Sequence, residues 1–229
     1  MLRALALITM MIDHAGLALF PRVGAFRCVG RLAFPLYCFL LVQGYRHTKN
    51  RQAYINRLCV LALITEIPFD LLTFGRLVSP IEQNAIFSLL LSLAALYIAD
   101  VYARHPLSSS MGILCVFAAA MLSRVSYGWL GAALCLLFYS AKRRGAQALG
   151  VLLLEGLYAL SLHLSGVATS WVLVSLCGMF AALPIAFYNG RRGARAPLLT
   201  LLFYAAYPLH IIALLIVRAM RIIPPYIFG

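Results

Sequence analysis

The run Leu2-Arg3-Ala4-Leu5-Ala6-Leu7-Ile8-Thr9-Met10-Met11-Ile12-Asp13-His14-Ala15-Gly16-Leu17-Ala18-Leu19-Phe20 decides how the chain is read. Its length matches the roughly 20 residues that a helix needs to cross a bilayer, yet a carboxylate and an imidazole stand side by side within it. Hydrocarbon cannot solvate a carboxylate, so each charged form needs a partner, either the neighbouring ring or an arginine from another segment. An ionisable pair at that depth is costly, and its default reading is a functional site. The run lacks a small-residue cleavage site and is followed directly by further apolar runs, so it is expected to stay in the mature chain.

The rest of the chain is of the same kind. Of its 229 residues 64% are hydrophobic and only 11% charged, with a mean hydropathy of +0.94, whereas a soluble domain carries roughly a quarter charged residues. Water-soluble classes are excluded. The chain reads as an all-α, polytopic transmembrane helical bundle, a single integral-membrane domain over residues 1–229. Apolar runs place helices at about residues 2–20, 32–45, 55–74, 85–103, 111–123, 128–141, 147–165, 168–188 and 197–218. The count is about nine spans, and the short runs at 32–45, 111–123 and 128–141, any of which would suit a re-entrant hairpin, leave eight to ten open. Breaks fall where turn chemistry and charge coincide, among them residues 21–31, 104–110 and 189–197.

A formal charge of +13 invites a nucleic-acid reading, but in so apolar a chain it first reports topology, through the bias of Lys and Arg toward the cytoplasmic side. Nine passes put Arg3, Arg46, Lys49, Arg51, Arg57, Arg104, Lys142, Arg143, Arg144, Arg191, Arg192 and Arg195 on the side of the N-terminus. Arg22, Arg27, Arg31, Arg76, Arg124, Arg218 and Arg221 fall on the other. The N-terminus is therefore expected in the cytoplasm and the C-terminus outside, with no nucleic-acid partner. Cys28, Cys38, Cys59, Cys115, Cys135 and Cys177 are widely spaced and mostly within helices, which argues against a disulfide framework or a zinc site. No metal is expected.

The topology also makes a geometric statement about the polar residues. At 1.5 Å rise per residue His14 lies roughly 18 Å into the first pass, and Asp70 lies at a similar depth in the third, which runs the same way. Glu66 and Asp70 are four apart and share a helix face, with Pro68 between them. Tyr204, Tyr207 and His210 follow on related turns of the last pass, around Pro208. Structural alternatives stand beside these: Asp13 pairing with Arg27 or Arg31 to lock two helices, Glu66 and Asp70 pairing with Arg57 or Arg76, and His210 making a helix-to-helix hydrogen bond.

On the N-terminal side Arg46-His47-Thr48-Lys49-Asn50-Arg51, followed by Tyr54 and Arg57, concentrates donors suited to phosphates. With Lys142, Arg143 and Arg144 and with Asn189-Gly190-Arg191-Arg192 it suits a basic collar around one mouth of the bundle. The alternative is a set of topogenic, headgroup-binding loops. No Gly-rich phosphate loop, H-E-x-x-H or G-x-S-x-G motif appears, so nucleotide hydrolysis, dinucleotide redox and standard hydrolase chemistry lack support.

Several segments together carry a resemblance. Ile8-Thr9-Met10-Met11-Ile12-Asp13-His14, Gly30-Arg31-Leu32-Ala33-Phe34-Pro35-Leu36, Gly44-Tyr45-Arg46-His47-Thr48 with Asn50-Arg51, Glu66-Ile67-Pro68-Phe69-Asp70, Gln83-Asn84, Tyr127-Gly128, Tyr188-Asn189-Gly190, and Tyr204 with Tyr207-Pro208-Leu209-His210 occur in the order found in the TraX family, which the chain resembles over nearly its whole length. That family is named for the conjugative-pilus protein that acetylates the N-terminus of pilin. It is similar in turn to the wider transmembrane acyltransferases, which use a histidine near the end of an early helix to move acetyl from acetyl-CoA across the membrane. The resemblance implies an integral acetyltransferase of the bacterial cytoplasmic (inner) membrane. Its donor would be acetyl-CoA, its acceptor a peptide N-terminus, a lipid or a glycan, and its surroundings membrane lipids.

The implied chemistry maps onto the residues already singled out. Acetyl-CoA would dock from the cytoplasm, its phosphates on Arg46, His47, Lys49, Arg51, Arg57, Asn189, Arg191 and Arg192, and its thioester would reach toward His14. His14 would act as general base, or carry the acetyl group itself. Asp13 would orient the imidazole. Alternatively, because neighbours on a helix point about 100° apart, Asp13 faces Arg31 and leaves Asp70 or Glu66 to support His14. Arg27, Arg31, Gln83, Asn84, Tyr204, Tyr207 and His210 would complete the site as substrate-binding or supporting groups. Two other classes fit the same residues: a proton-coupled transporter of a small anionic substrate, and a non-catalytic membrane assembly subunit.

Overall fold

In hydrocarbon every backbone N–H and C=O must be satisfied within the chain, and each apolar run meets that condition as a helix. The computed structural model describes residues 1–190 and 197–220. It contains α1 (Leu2–Leu19), α2 (Gly24–Arg31), α3 (Ala33–His47), α4 (Arg51–Phe74), α5 (Ala85–Val101), α6 (Pro106–Leu122), α7 (Leu130–Ser140), α8 (Arg144–Leu164), α9 (Thr169–Leu176), a 3₁₀ turn (Cys177–Ala181), α10 (Ala182–Ala186) and α11 (Pro197–Ala219). No strand occurs among the described residues. Because α2 continues into α3, and α9 through the 3₁₀ turn into α10, these elements make nine passes. The passes Leu2–Leu19, Gly24–His47, Arg144–Leu164, Thr169–Ala186 and Leu201–Ala219 are each long and apolar enough to cross a membrane unaided.

Several boundaries differ from the sequence expectation, and three of the differences have a plain physical reason. The second pass begins at Gly24 and not near residue 32, because Arg27 and Arg31 are turned into the bundle and the polar stretch stays helical. α6 begins at Pro106, whose fixed φ and missing N–H suit the first turn. α7 has only 11 residues, about 16 Å, too short for a lipid-facing span. It does not face lipid: Leu130, Gly131, Ala132, Leu134, Cys135 and Phe138 are all buried, and α7 packs among α3, α5 and α8. A Cβ at Gly131 would meet the Ser88 and Ser92 hydroxyls at 2.7 and 2.8 Å, so glycine there lets α7 approach α5 as small residues do in membrane bundles.

Caps and loops fix the ends. Asn50 accepts from the Ala53 N–H at 2.8 Å to open α4, and Gly75 closes it in the left-handed region at φ +69°. On the face that carries Met1, Arg46 donates to the Phe138 and Tyr139 carbonyls at 3.3 and 2.6 Å. On the opposite face the loops before α5 and before α7 are joined: the Gln83 N–H donates to Arg124 O at 3.1 Å and the Ser126 N–H to Gln83 O at 3.0 Å.

The cysteines require a correction. Cys28 and Cys177, 149 residues apart, form a disulfide with a Cα–Cα separation of 5.2 Å, whereas Cys38, Cys59, Cys115 and Cys135 are free thiols. Sequence spacing gave no sign of it. The pair exists only because α2 packs on α9 and the 3₁₀ turn.

The threading makes a testable statement. Single cysteines introduced at Lys49 and Lys142, in a background without native thiols, should be labelled from one side of sealed vesicles, and those at Arg76 and Arg124 from the other. Labelling of Lys49 and Lys142 from opposite sides would overturn the nine-pass order.

Candidate active site

A cavity of about 390 Å³ runs through the bundle. Its wall begins at the Met1 face with Arg3, Gly44, Tyr54 and Tyr204, passes Met10, His14, Tyr37 and Tyr207, and reaches Arg27, Arg31, Glu82, Ser126 and Tyr127 at the far end. On α1 the lining residues Arg3, Met10, Asp13, His14 and Leu17 lie at i, i+7, i+10, i+11 and i+14, a stripe along the helix with Asp13 at its edge. From Arg3 to His14 the helix rises about 16 Å, so His14 stands deep in the cavity, 7% exposed.

The imidazole of His14 is held by the last pass, not by its sequence neighbour. His14 Nδ1 lies 2.7 Å from His210 Nε2, and the two rings stack with centroids 4.9 Å apart. Tyr207 stands edge-on to both, at 5.7 and 5.6 Å. His210 Nδ1 is 2.8 Å from the carbonyl oxygen of Ala206, one turn back on α11.

Asp13 also lines the cavity but pairs elsewhere. Its Oδ2 accepts from Arg27 Nη1 at 2.8 Å, and a Cβ at Gly30 would overlap the Asp13 carboxylate, so α1 and α2 touch through this contact. Arg27 also lies 5.7 Å over Trp171, and Arg31 lies 5.3 Å over Tyr127. The reading in which Asp13 orients His14 is therefore replaced by its structural alternative, with Arg27 as the partner.

Glu66 and Asp70, placed beside His14 by depth, serve the loop before α5 instead. Glu66 Oε2 accepts from the Asn84 backbone N–H at 3.1 Å and from its side-chain amide. Asn84 in turn caps α5 by accepting from Ile86 N at 2.9 Å. Asp70 Oδ2 accepts from the Ser79 N–H at 2.7 Å. Gln83 Nε2 donates to Ser79 O at 3.3 Å. These four residues lock one loop, and the shared face of Glu66 and Asp70 points to it. Because α4 begins at Arg51, Asp70 lies roughly 28 Å along its helix, farther than the roughly 18 Å of His14 along α1, and depth says nothing of direction.

The basic cluster divides in two. Arg57 is exposed and lies 5.9 Å over Tyr54, which lines the cavity together with Arg3. Arg46 and Arg51 border a separate open bowl of about 440 Å³ with Tyr45 and Tyr139. There Asp100, which sequence reasoning passed over, pairs with Arg51 and accepts from the Tyr45 and Tyr139 hydroxyls at 3.1 and 2.7 Å. His47 turns back to the Gln43 carbonyl at 2.6 Å, Lys49 is exposed, and Asn189 follows α10 on the same face. Arg191 and Arg192 lie outside the described residues. Glu82, also unforeseen, accepts from Ser126 Oγ at 2.6 Å where the cavity meets the far loops. Among the described residues no group of three His, Cys, Asp or Glu side chains is placed to hold a metal ion.

Because Asp13 and Arg27 are half-buried partners, Asp13→Asn and Arg27→Gln should each destabilise the folded protein by about 3 kcal/mol. The double variant should cost less than their sum. Thermal unfolding in detergent measures this; additive losses would show that the pair is not coupled.

Comparison with known proteins gives one family. A family model described as TraX protein matches residues 1–218. The chain is 31% identical over 224 residues to a probable fimbrial assembly protein, FimC of serogroup H1, from Dichelobacter nodosus, with 92% of this chain and 91% of the relative covered. It is 38% identical over 81 residues to an uncharacterised protein of Rickettsia prowazekii (strain Madrid E), covering 34% of this chain and 32% of that one. No solved structure gives a significant match. With nearly the whole length accounted for by one model and by one relative aligned almost end to end, the chain belongs to the TraX family.

Proposed function

We propose that this protein is a membrane-embedded acetyltransferase of the bacterial inner membrane, which takes acetyl from acetyl-CoA on the Met1, cytoplasmic side and delivers it to an amine or hydroxyl reaching His14 from the other side. The observation that carries this reading is the cavity with a basic mouth at one face, a histidine midway and a polar vestibule at the other. A cavity of about 390 Å³ suits the acyl arm of a donor whose bulk stays outside, within the range of roughly 300–1,000 Å³ typical of ligand sites. Arg3 and Arg57 stand where the donor's phosphates would rest, with the Arg46 and Arg51 bowl beside them.

In the transfer His14 accepts the proton of the attacking amine or hydroxyl as the new bond to the acetyl carbon forms. The carbon–sulfur bond then breaks, and the CoA thiolate leaves with that proton. Positioned general bases contribute about 10²- to 10⁴-fold. Arg31, which forms no ion pair with a described residue, is the cation near the carbonyl oxygen as it gains charge. The Dichelobacter relative is called a fimbrial assembly protein, which favours a peptide N-terminus of an exported subunit over a lipid or glycan acceptor. The same name favours, as second reading, a non-catalytic assembly subunit.

Purified protein incubated with labelled acetyl-CoA and a membrane extract should label an acceptor. His14→Ala should reduce the label at least 10²-fold while leaving donor binding intact. Full assembly function with no transfer, and tolerance of His14→Gln, would instead support the assembly reading. Anion uptake by proteoliposomes without transfer would support a transporter.

The donor mouth yields a separate expectation. Arg3→Gln and Arg57→Gln should each raise KM for acetyl-CoA about tenfold, close to 1.4 kcal/mol, with a loss that deepens in added salt. An unchanged KM would move the donor's phosphates to the Arg46 and Arg51 bowl.

A further inference from the structure

We propose that His210 is a positioning residue that fixes His14 in its Nδ1–H tautomer, so that Nε2 of His14 faces the cavity as the proton acceptor. The inference rests on the reading of His14 as the base and names the group that sets it.

The tautomers follow from the two hydrogen bonds. A backbone carbonyl oxygen only accepts. At 2.8 Å from Ala206 O, His210 Nδ1 therefore carries the proton and donates. In a neutral ring the other nitrogen is then bare, so His210 Nε2 accepts. At 2.7 Å from it, His14 Nδ1 must be the donor. That leaves His14 Nε2 with its lone pair, on a ring that lines the cavity. The chain of donors runs from His14 through His210 to the backbone carbonyls one turn back on α11, Ala206 the nearer contact at 2.8 Å.

The reverse order fails on two counts. A neutral His210 donating from Nε2 would set its bare Nδ1 against a carbonyl oxygen. A charged His210 would satisfy both contacts, but among the described residues no carboxylate touches it: Asp13 is held by Arg27, Glu66 by Asn84 and Asp70 by Ser79. An unpaired cation in an apolar bundle is costly.

The arrangement does with a second imidazole what a carboxylate does beside other catalytic histidines. When His14 takes a proton at Nε2, the resulting cation still donates from Nδ1 to His210 Nε2, and its charge is shared along a hydrogen-bonded pair. No buried anion has to be maintained in the resting state. Tyr207, edge-on to both rings, closes off other ring orientations.

Two measurements test this. Site-resolved ¹⁵N NMR of labelled histidine in the resting wild-type protein should show His14 protonated on Nδ1 and bare on Nε2. The opposite tautomer, or a cationic ring at either residue, would overturn the proposal. Because this needs no turnover, an Nδ1–H His14 in a protein that transfers no acetyl would fault the acetyltransferase reading and leave the pairing standing. In kinetics, His210→Gln keeps an oxygen that can accept from His14 Nδ1, and should retain kcat within about tenfold of wild type. His210→Phe refills the ring volume but accepts nothing, and should lose kcat about 10²-fold or more with KM for acetyl-CoA unchanged. A Phe variant more active than the Gln variant would show that the ring only fills space.

Discussion

A charge inside a bilayer is stable only if the protein itself supplies its counterpart, and this requirement organises the bundle. Four of its carboxylates are committed to holding helices and loops in place. Asp13 joins α1 to α2 through Arg27, Glu66 and Asp70 close the loop before α5 through Asn84 and Ser79, and Asp100 gathers Arg51, Tyr45 and Tyr139 at the Met1 face. The first three tie neighbouring segments, and the Asp100 contacts join α3, α4, α5 and α7 across longer stretches of chain. In the proposed reaction the chemistry falls to groups that need no counter-ion at rest, the stacked imidazoles of His14 and His210.

The cavity exists because the same contacts hold its walls apart. At the far end Arg27, paired with Asp13, also lies over Trp171, and Arg31 lies over Tyr127. At the near end Tyr54 lies against Gly44, where a Cβ would meet its hydroxyl at 2.8 Å. α3 and α4 thereby frame a mouth. Between the ends the lining is apolar and aromatic, which keeps water sparse where an acyl group would be exposed to attack.

The fold was legible in the chain because hydrophobic runs of the right length have no other solution in lipid. Three short runs were open, and for α7, the shortest helix among them, length alone cannot distinguish a short buried helix from a re-entrant one; its neighbours decide. The polar residues were legible as important by their depth, and Arg3, Met10, His14 and Leu17 announce a stripe by spacing alone. Direction was not legible. Asp13 and His14 are adjacent yet diverge, Glu66 and Asp70 share a face that turns to a loop, and nothing in the spacing of Cys28 and Cys177 or of His14 and His210 brings them together. Those pairings are properties of packing between passes, which one sequence records only as separate residues.

His14 lies on the first pass and His210 on the last, 196 positions later. During synthesis His14 enters the membrane long before its partner exists, and until α11 inserts, its ring has no acceptor for Nδ1–H and the cavity lacks the wall made by Tyr204 and Tyr207. A chain without α11 therefore carries His14 without the ring that contacts its Nδ1. In the proposed reaction, a bundle in the membrane that lacks α11 would neither spend donor nor modify the wrong acceptor.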